Sequence, residues 1–324
     1  MEIDVFFADE LDTVLRTLRT ALKPVGPLGA DETKFLETYS RIAGRSGQPG
    51  SGQASQYRTI RPEEVHIQGA HRRKRLVQLA SIAALLGRPV RHDSVRFVKQ
   101  LARCLGVSDP VVRTLEALAD GRKIKAALLA SRRGMRVMIK EAWLAEGFGG
   151  VVRFVAALAL GAAVNKGLLW KHKKLGLLPE RTLGREYWKH MTERGFGFPG
   201  EKRGIPKTVA YHDIGHVLSG YGTDPYGEIR QGSFQGGNRR QDGFFFIQFV
   251  LLQFHHGIRL TPAAKGETGY FDPADILWAI HRGASCNVDI THQWDYWPLM
   301  TLDLAEVRKR IGLIPHPQRE SEAA

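Results

Sequence analysis

The sequence has only two cysteines, Cys104 and Cys286, far apart and in no CxxC pair. This excludes a disulfide framework and a thiolate metal site, and it fits a reducing compartment. Basic residues are missing from the opening stretch MEIDVFFADELDTVL, which carries Glu2, Asp4, Asp9, Glu10 and Asp12. A signal peptide or mitochondrial presequence has the opposite charge, so a cytoplasmic, bacterial-type protein is expected. Long apolar runs are missing too. The longest, residues 151–169, is interrupted by Arg153 and Lys166, which leave twelve residues between charges where a spanning helix needs about 20. No RNP or zinc-finger pattern is present, so nucleic acid is not the expected partner.

What the chain does contain is enough apolar material for two cores. Its 324 residues are 43% hydrophobic and 25% charged, and at about 100 to 200 residues per domain they predict two domains. The net charge of +14 is regional. Residues 61–210 hold 30 lysines and arginines against 12 acidic residues, whereas both flanks are slightly acidic. HRRKR at 71–75 and SRRGMR at 131–136 are the densest clusters. A belt of this sign attracts anionic lipid headgroups or phosphorylated molecules.

GRSGQPGSGQASQ at 44–56 has almost nothing to bury and predicts a flexible insert near 44–60. The helical stretches at 22–44 and 86–106 form a weak internal repeat, in which Asp31 and Phe35 align with Asp93 and Phe97. Each copy is a Gly/Pro turn followed by a helix with apolar residues at i, i+3, i+4 and i+7. This repeat resembles the tellurite-resistance TerB-like helical family. That family's acidic turn residues are replaced here by Pro24, Gly26 and Pro27 in one copy and Arg88, Arg91 and His92 in the other, so no metal is expected in this part. The expected architecture is all-α with two helical domains, a TerB-like bundle over 1–132 and a metal-binding domain over 133–324.

The chemistry concentrates in YHDIGHVLSGYGTDPYGEIRQGSFQGG at 211–237. His212 and His216 are four residues apart, so on a helix they project from one face and can ligate one divalent ion, zinc being the commonest choice for imidazole pairs. Gly220, Gly222, Pro225 and Gly227 then break the helix, and Glu228 follows near the start of the next. Asp213 lies about 100° around the helix from His212. It is a fourth ligand if the geometry bends towards it, and otherwise a group that orients a ligand or acts as a base. As a base, it would parallel the HExxH plan of metallohydrolases, with a shorter reach.

His-Asp-x-x-His-x(11)-Glu is also the pattern of the coenzyme Q biosynthesis protein 4 family, which this chain resembles over roughly 140–313. LPERTLGREYWKHMTERGF at 178–196 and YGEIRQGSFQ at 226–235 are similar to that family's flanking helices, and VDITHQWDYWPLMTLDLAEVRKRIGL at 288–313 to its last helix in pattern. The resemblance implies an all-helical, peripherally membrane-associated protein of ubiquinone biosynthesis, on the inner face of the membrane. His212, Asp213, His216 and Glu228 would be metal ligands and catalytic residues, with Zn2+ as the cofactor. The implied reaction is oxidative decarboxylation at ring carbon 1 of a polyprenylated 4-hydroxybenzoate-type precursor. The alternative is a non-catalytic scaffold or lipid carrier that organises other quinone-biosynthesis proteins. Self-association into a homo-oligomer is left open. Usual members of the family lack the fused N-terminal part.

The surroundings suit a lipid substrate. GFFFIQFVLLQFHHG at 243–257 is apolar nearly all round, which fits either a core helix or a tunnel for an isoprenoid tail walled by Phe245, Phe249 and Leu252. Arg239, Arg240 and His255 are candidates for added positive charge, and His281, Asp289 and His292 for supporting polar groups. The 151–169 segment, with Lys166, Lys171, Lys173 and Lys174, is either an interfacial helix or a core helix with a basic end.

Overall fold

A computed structural model describes residues 1–44, 57–160, 164–202, 204–261 and 264–316. Among them are thirteen α-helices, joined by short loops and 3-10 turns, and no strand. The fold is all-α. Most of the insert anticipated near 44–60 lies outside the described residues.

The first layer contains α1 (Leu11–Leu22), α2 (Ala30–Gly44), α3 (Ala70–Leu86), α4 (His92–Cys104) and α5 (Val111–Ala119). α1 and α4 are strongly amphipathic, and their apolar faces (Val14, Leu15, Leu18; Val95, Phe97, Val98, Leu101) are buried. α3 is enclosed from Leu76 onwards, which makes it the central helix of the layer. The repeat is visible in space: Phe35 on α2 and Phe97 on α4 are both buried, and Asp31 and Asp93 each lie in a first turn.

α6 (Lys123–Leu160) then runs across the 132/133 boundary. Within it Gly147 has a φ of 60°, which a residue without a Cβ adopts easily. The second half contains α7 (Lys166–Lys173), α8 (Leu183–Glu193), α9 (Tyr211–Ser219), α10 (Pro225–Asn238), α11 (Phe244–Phe254), α12 (Pro273–Ser285) and α13 (Leu304–Arg310). Several begin with a side-chain cap: Asp224 and Asp272 accept backbone N–H groups ahead of Pro225 and Pro273, as do Thr182 and Asp303 ahead of α8 and α13.

Two hydrophobic cores result. The larger joins the N-terminal layer to α11 and to Ile229, Ile276, Leu277 and Ile280 of α10 and α12, so its membership crosses the 132/133 boundary. The smaller is built from Leu183, Tyr187, Met191, Ile214, Leu218, Phe234, Met300 and Val307, on α8 to α10, α13 and the turn before it. α10, through Ile229 and Phe234, and α12, through Ile280 and Ala279, therefore serve both cores. The Met1 nitrogen donates to carbonyls at the C-terminal end of α10, and Met1 and Ile3 are buried, so the chain start is also packed against this layer.

One buried polar network bridges the halves. Asp109 accepts from Arg133 Nη1 (2.9 Å), Gln78 Nε2 (3.0 Å) and the Val111 N–H (3.0 Å), and Arg133 also reaches Gln248 of α11 (3.4 Å). The Asp109 and Arg133 side chains are 1% and 11% exposed, so removing one partner strands the other charge away from water. Asp109→Ala is expected to cost about 3 kcal/mol or more, read from a shift in the urea midpoint. A shift equivalent to less than about 1 kcal/mol, the range of an exposed pair, would contradict this.

Candidate metal centre

The site is made by a helix, a break and a second helix. α9 ends at Gly220 in the left-handed conformation (φ 77°), with its N–H on the His216 carbonyl at 2.9 Å. Asp224 Oδ1 then accepts from the Tyr226 and Gly227 N–H groups (2.9 and 3.0 Å), and α10 starts at Pro225. Glu228 consequently lies in the first turn of α10, facing the histidine pair.

The three groups converge. The Nε2 atoms of His212 and His216 are 3.2 Å apart, and Glu228 Oε2 and Oε1 lie 3.5 and 3.4 Å from them respectively. Tetrahedral zinc ligands about 2.0–2.1 Å from the ion are about 3.3 Å from one another. The observed spacings match. Outside the cluster, His216 Nδ1 lies 3.1 Å from the Tyr221 carbonyl, and His212 Nδ1 lies 3.2 Å from Gln235 Oε1. A carbonyl can only accept, so His216 donates from Nδ1 to Tyr221, and Nε2 is the nitrogen that faces Glu228. Outer hydrogen bonds of this kind orient ligand imidazoles in metal sites. Two imidazoles and a carboxylate fit a divalent ion, and His212, His216 and Glu228 are the residues that would hold it.

Without a cation, the cluster is electrostatically uneven. Burial disfavours charge on His212, but the Glu228 carboxylate outweighs it and pushes the pKa up to about 9. Burial prevails at His216 and lowers its pKa. Glu228 is held at about 2, because the two imidazoles overcome its own desolvation. Since His212 titrates above neutral pH it is protonated at pH 7, and a metal must displace that proton. Zinc binding at pH 7 is expected to release about one proton, measured by titration calorimetry in two buffers of different ionisation enthalpy. Equal heats in both would contradict this.

Asp213 is not part of the convergence. It is buried, with Oδ1 3.9 Å from His190 Nε2 on α8, and the His190 ring stacks on His216 with centroids 5.5 Å apart. The sequence left Asp213 open as ligand, base or orienting group; the structure turns it to His190.

At the start of α9 is a cavity of about 530 Å3, walled by Tyr211, Phe245, Phe246, Trp294 and Trp297, with Arg239 among its polar edges; His212, His216 and Glu228 are not among its lining residues. Tyr211 directly precedes His212 in the chain. Of the proposed tunnel residues, Phe245 lines this cavity. Phe249 packs half-buried against the larger core, its ring 5.9 Å from that of Phe245. Leu252 is fully enclosed in that core. His255 sits against the Leu86 carbonyl at the end of α3 (3.1 Å). Arg239 donates to the Thr291 carbonyl and hydroxyl (3.1 and 3.3 Å). The Arg240 N–H, just after α10, donates to Oδ2 of Asp289 in the loop after α12 at 3.0 Å, and His281 faces Asp4 at 3.7 Å.

No protein-family model matches the chain, and neither does any curated protein.

Four supporting residues escape a motif-based search. Gln231 and Gln235 lie three and seven residues after Glu228, on the same helical face. Gln235 meets His212. Gln231 accepts from Ser219 Oγ (2.7 Å) and donates to the His212 carbonyl (3.4 Å), tying α10 to α9. Gly215, inside the motif, makes room for that amide, since a Cβ there would collide with Gln231 Nε2. The i, i+3, i+7 run from Glu228 is the signal that could have found both glutamines. His190, on another helix, has no such signal.

Proposed function

We propose that this chain is a metal-dependent protein of ubiquinone biosynthesis that acts on a polyprenylated aromatic ring of the 4-hydroxybenzoate type, at ring carbon 1, at a membrane surface. The observation that carries the proposal is the convergence of His212, His216 and Glu228, together with an aromatic-walled cavity at the start of α9 large enough for a ring and part of a tail. The resemblance of HDIGH-x(11)-Glu to the coenzyme Q biosynthesis protein 4 family supplies the substrate class.

A divalent cation at these residues would polarise the ring's carboxylate or phenolate as a Lewis acid. The protein's own contributions are positional. Tyr221 and Gln235 hold both imidazoles edge-on, and Gln231 and Ser219 fix the approach of the two helices. Tyr211, Phe246 and Trp294 offer flat apolar walls to an aromatic ring, and Arg239 places a buried guanidinium at the cavity edge. The metallohydrolase alternative asks Asp213 to act as base at the metal, and its orientation towards His190 disfavours that role.

The test is release of labelled CO2 from a polyprenyl 4-hydroxybenzoate bearing a 13C-carboxylate, in air, by protein purified without chelators. Release that disappears in Glu228→Gln supports the enzymatic proposal. Retained metal and co-purified prenyl lipid with no release would replace it with the lipid carrier or scaffold.

A further inference from the structure

A second cavity, of about 600 Å3, is lined by residues from the end of α9 and from α10, α12 and α13. Arg230, Arg282, Arg308 and Lys309 are among its lining residues, and no carboxylate is. None of His212, His216 and Glu228 lines it. Two of the cations flank one ring: the guanidinium carbons of Arg282 and Arg230 lie 5.2 and 5.9 Å from the centroid of Tyr221, which also lines the cavity.

Two of these groups are buried without the partner that burial ordinarily requires. Arg282 is 4% exposed. It donates from Nε to the Ile314 carbonyl (3.0 Å) and from Nη1 to the Ser219 carbonyl (3.2 Å), and it meets no carboxylate among the described residues. Buried charges are normally paired. The C-terminal end of α9 offers about half an elementary negative charge, which Arg282 shares with Arg308, whose Nε and Nη2 donate to the Leu218 and Val217 carbonyls (2.8 and 3.0 Å). Tyr221 is 6% exposed, and its hydroxyl proton has no acceptor among the described residues. Asp275 is outside the lining and is engaged by Arg230 Nε (3.2 Å) and by the Tyr226 hydroxyl. The cavity therefore presents positive charge and donors, with no acid of its own to receive them.

We propose that this cavity binds the phosphate group of a small molecule. A phosphate oxygen gives the Tyr221 hydroxyl its acceptor, and the phosphate charge compensates the buried Arg282. Phosphate fits better than a carboxylate, because its second charge and additional acceptor oxygens match a set of cations and not one alone. Lys309, exposed and without an ion-pair partner among the described residues, adds a further cation. The volume exceeds what a phosphate fills, and Leu313 and Ile314 supply apolar surface for an attached organic group. A soluble phosphate ester and a phospholipid headgroup share this chemistry. The site goes beyond the proposed function and uses neither the His/His/Glu trio nor the aromatic-walled cavity, so either reading can fail alone.

The test is titration calorimetry of the full chain with inorganic phosphate, pyrophosphate and dihexanoyl phosphatidic acid. Wild type is expected to bind inorganic phosphate saturably, at one per chain, and more weakly as salt is raised. Tighter binding of pyrophosphate points to a soluble ester and tighter binding of the phosphatidic acid to a lipid headgroup; either order supports the phosphate site. Tyr221→Phe removes only the hydroxyl and is expected to weaken phosphate binding about 10-fold, as for one hydrogen bond to a charged group. The same variant without phosphate should melt no lower than wild type, because a stranded donor is gone. Lys309→Glu, at an exposed position, is expected to weaken binding by at least about fivefold. Absence of saturable binding by wild type would overturn the proposal, as would affinity unchanged in both variants. Binding that appears only in Glu320→Gln with Glu322→Gln would overturn it in favour of the chain's own acidic residues as the occupant.

Discussion

Replacing His216 with alanine is expected to leave the protein without stoichiometric zinc. His216 is 1% exposed at its side chain and turns Nε2 to Glu228, with its Nδ1–H donated to the Tyr221 carbonyl. Its loss leaves one imidazole and one carboxylate, too few for a tight zinc site. Gln235→Ala is a graded companion, because Gln235 orients His212 without reaching the cluster itself. Residues in that position change affinity by about 10- to 100-fold, so Gln235→Ala should retain metal at high zinc and lose it in mild chelator. Elemental analysis and competition with a coloured chelator measure both. Equal zinc in wild type and His216→Ala would remove the basis for the metal centre.

The second large effect concerns the helix pair that carries the site. α10 and α12 approach so closely that glycine is needed on both. A Cβ on Gly283 would collide with the Phe234 carbonyl, and one on Gly237 with the Ile280 carbonyl. Both obstacles are backbone, which cannot swing away as a side chain end can. Overpacking in a core costs about 1–3 kcal/mol, and a backbone collision lies at the top of that range. Gly283→Ala is therefore expected to lose about 3 kcal/mol, seen as an earlier transition in chemical denaturation. Because α10 also carries Glu228 and Gln235, the surviving folded protein should bind zinc more weakly. Unchanged stability would mean that the two helices have room to separate.

Much of the site was legible from local order. The four-residue spacing of His212 and His216, the glycine-rich break and the return at Glu228 depend only on helix geometry and turn chemistry, and the structure brings these three residues together. Asp213 was less determined, because a residue 100° around a helix can face several neighbours. Only the arrival of α8, with His190, settles its direction. Leu252 and His255 show the same limit from another side. An all-apolar helix announces that it will be surrounded but not by what, and α11 packs these two residues against the N-terminal layer instead of the cavity. The predicted boundary at 132/133 rests on the repeat pattern of the N-terminal helices and on the family resemblances, whereas α6 runs through it and the larger core draws on both sides.

The sequence by itself determined the helical class, the internal repeat, the regional charge and the spacing of the His/His/Glu trio, since each depends on periods and caps within a few turns of chain. Which core each helix joins, which glutamines support the imidazoles, where Asp213 points and which residues wall the cavity at the start of α9 were decided by tertiary structure. Those features depend on contacts between segments tens to hundreds of residues apart, such as Gly237 with Ile280 and His255 with Leu86. A local pattern states which face a helix must bury, but only the packing of all the helices selects the partner that buries it.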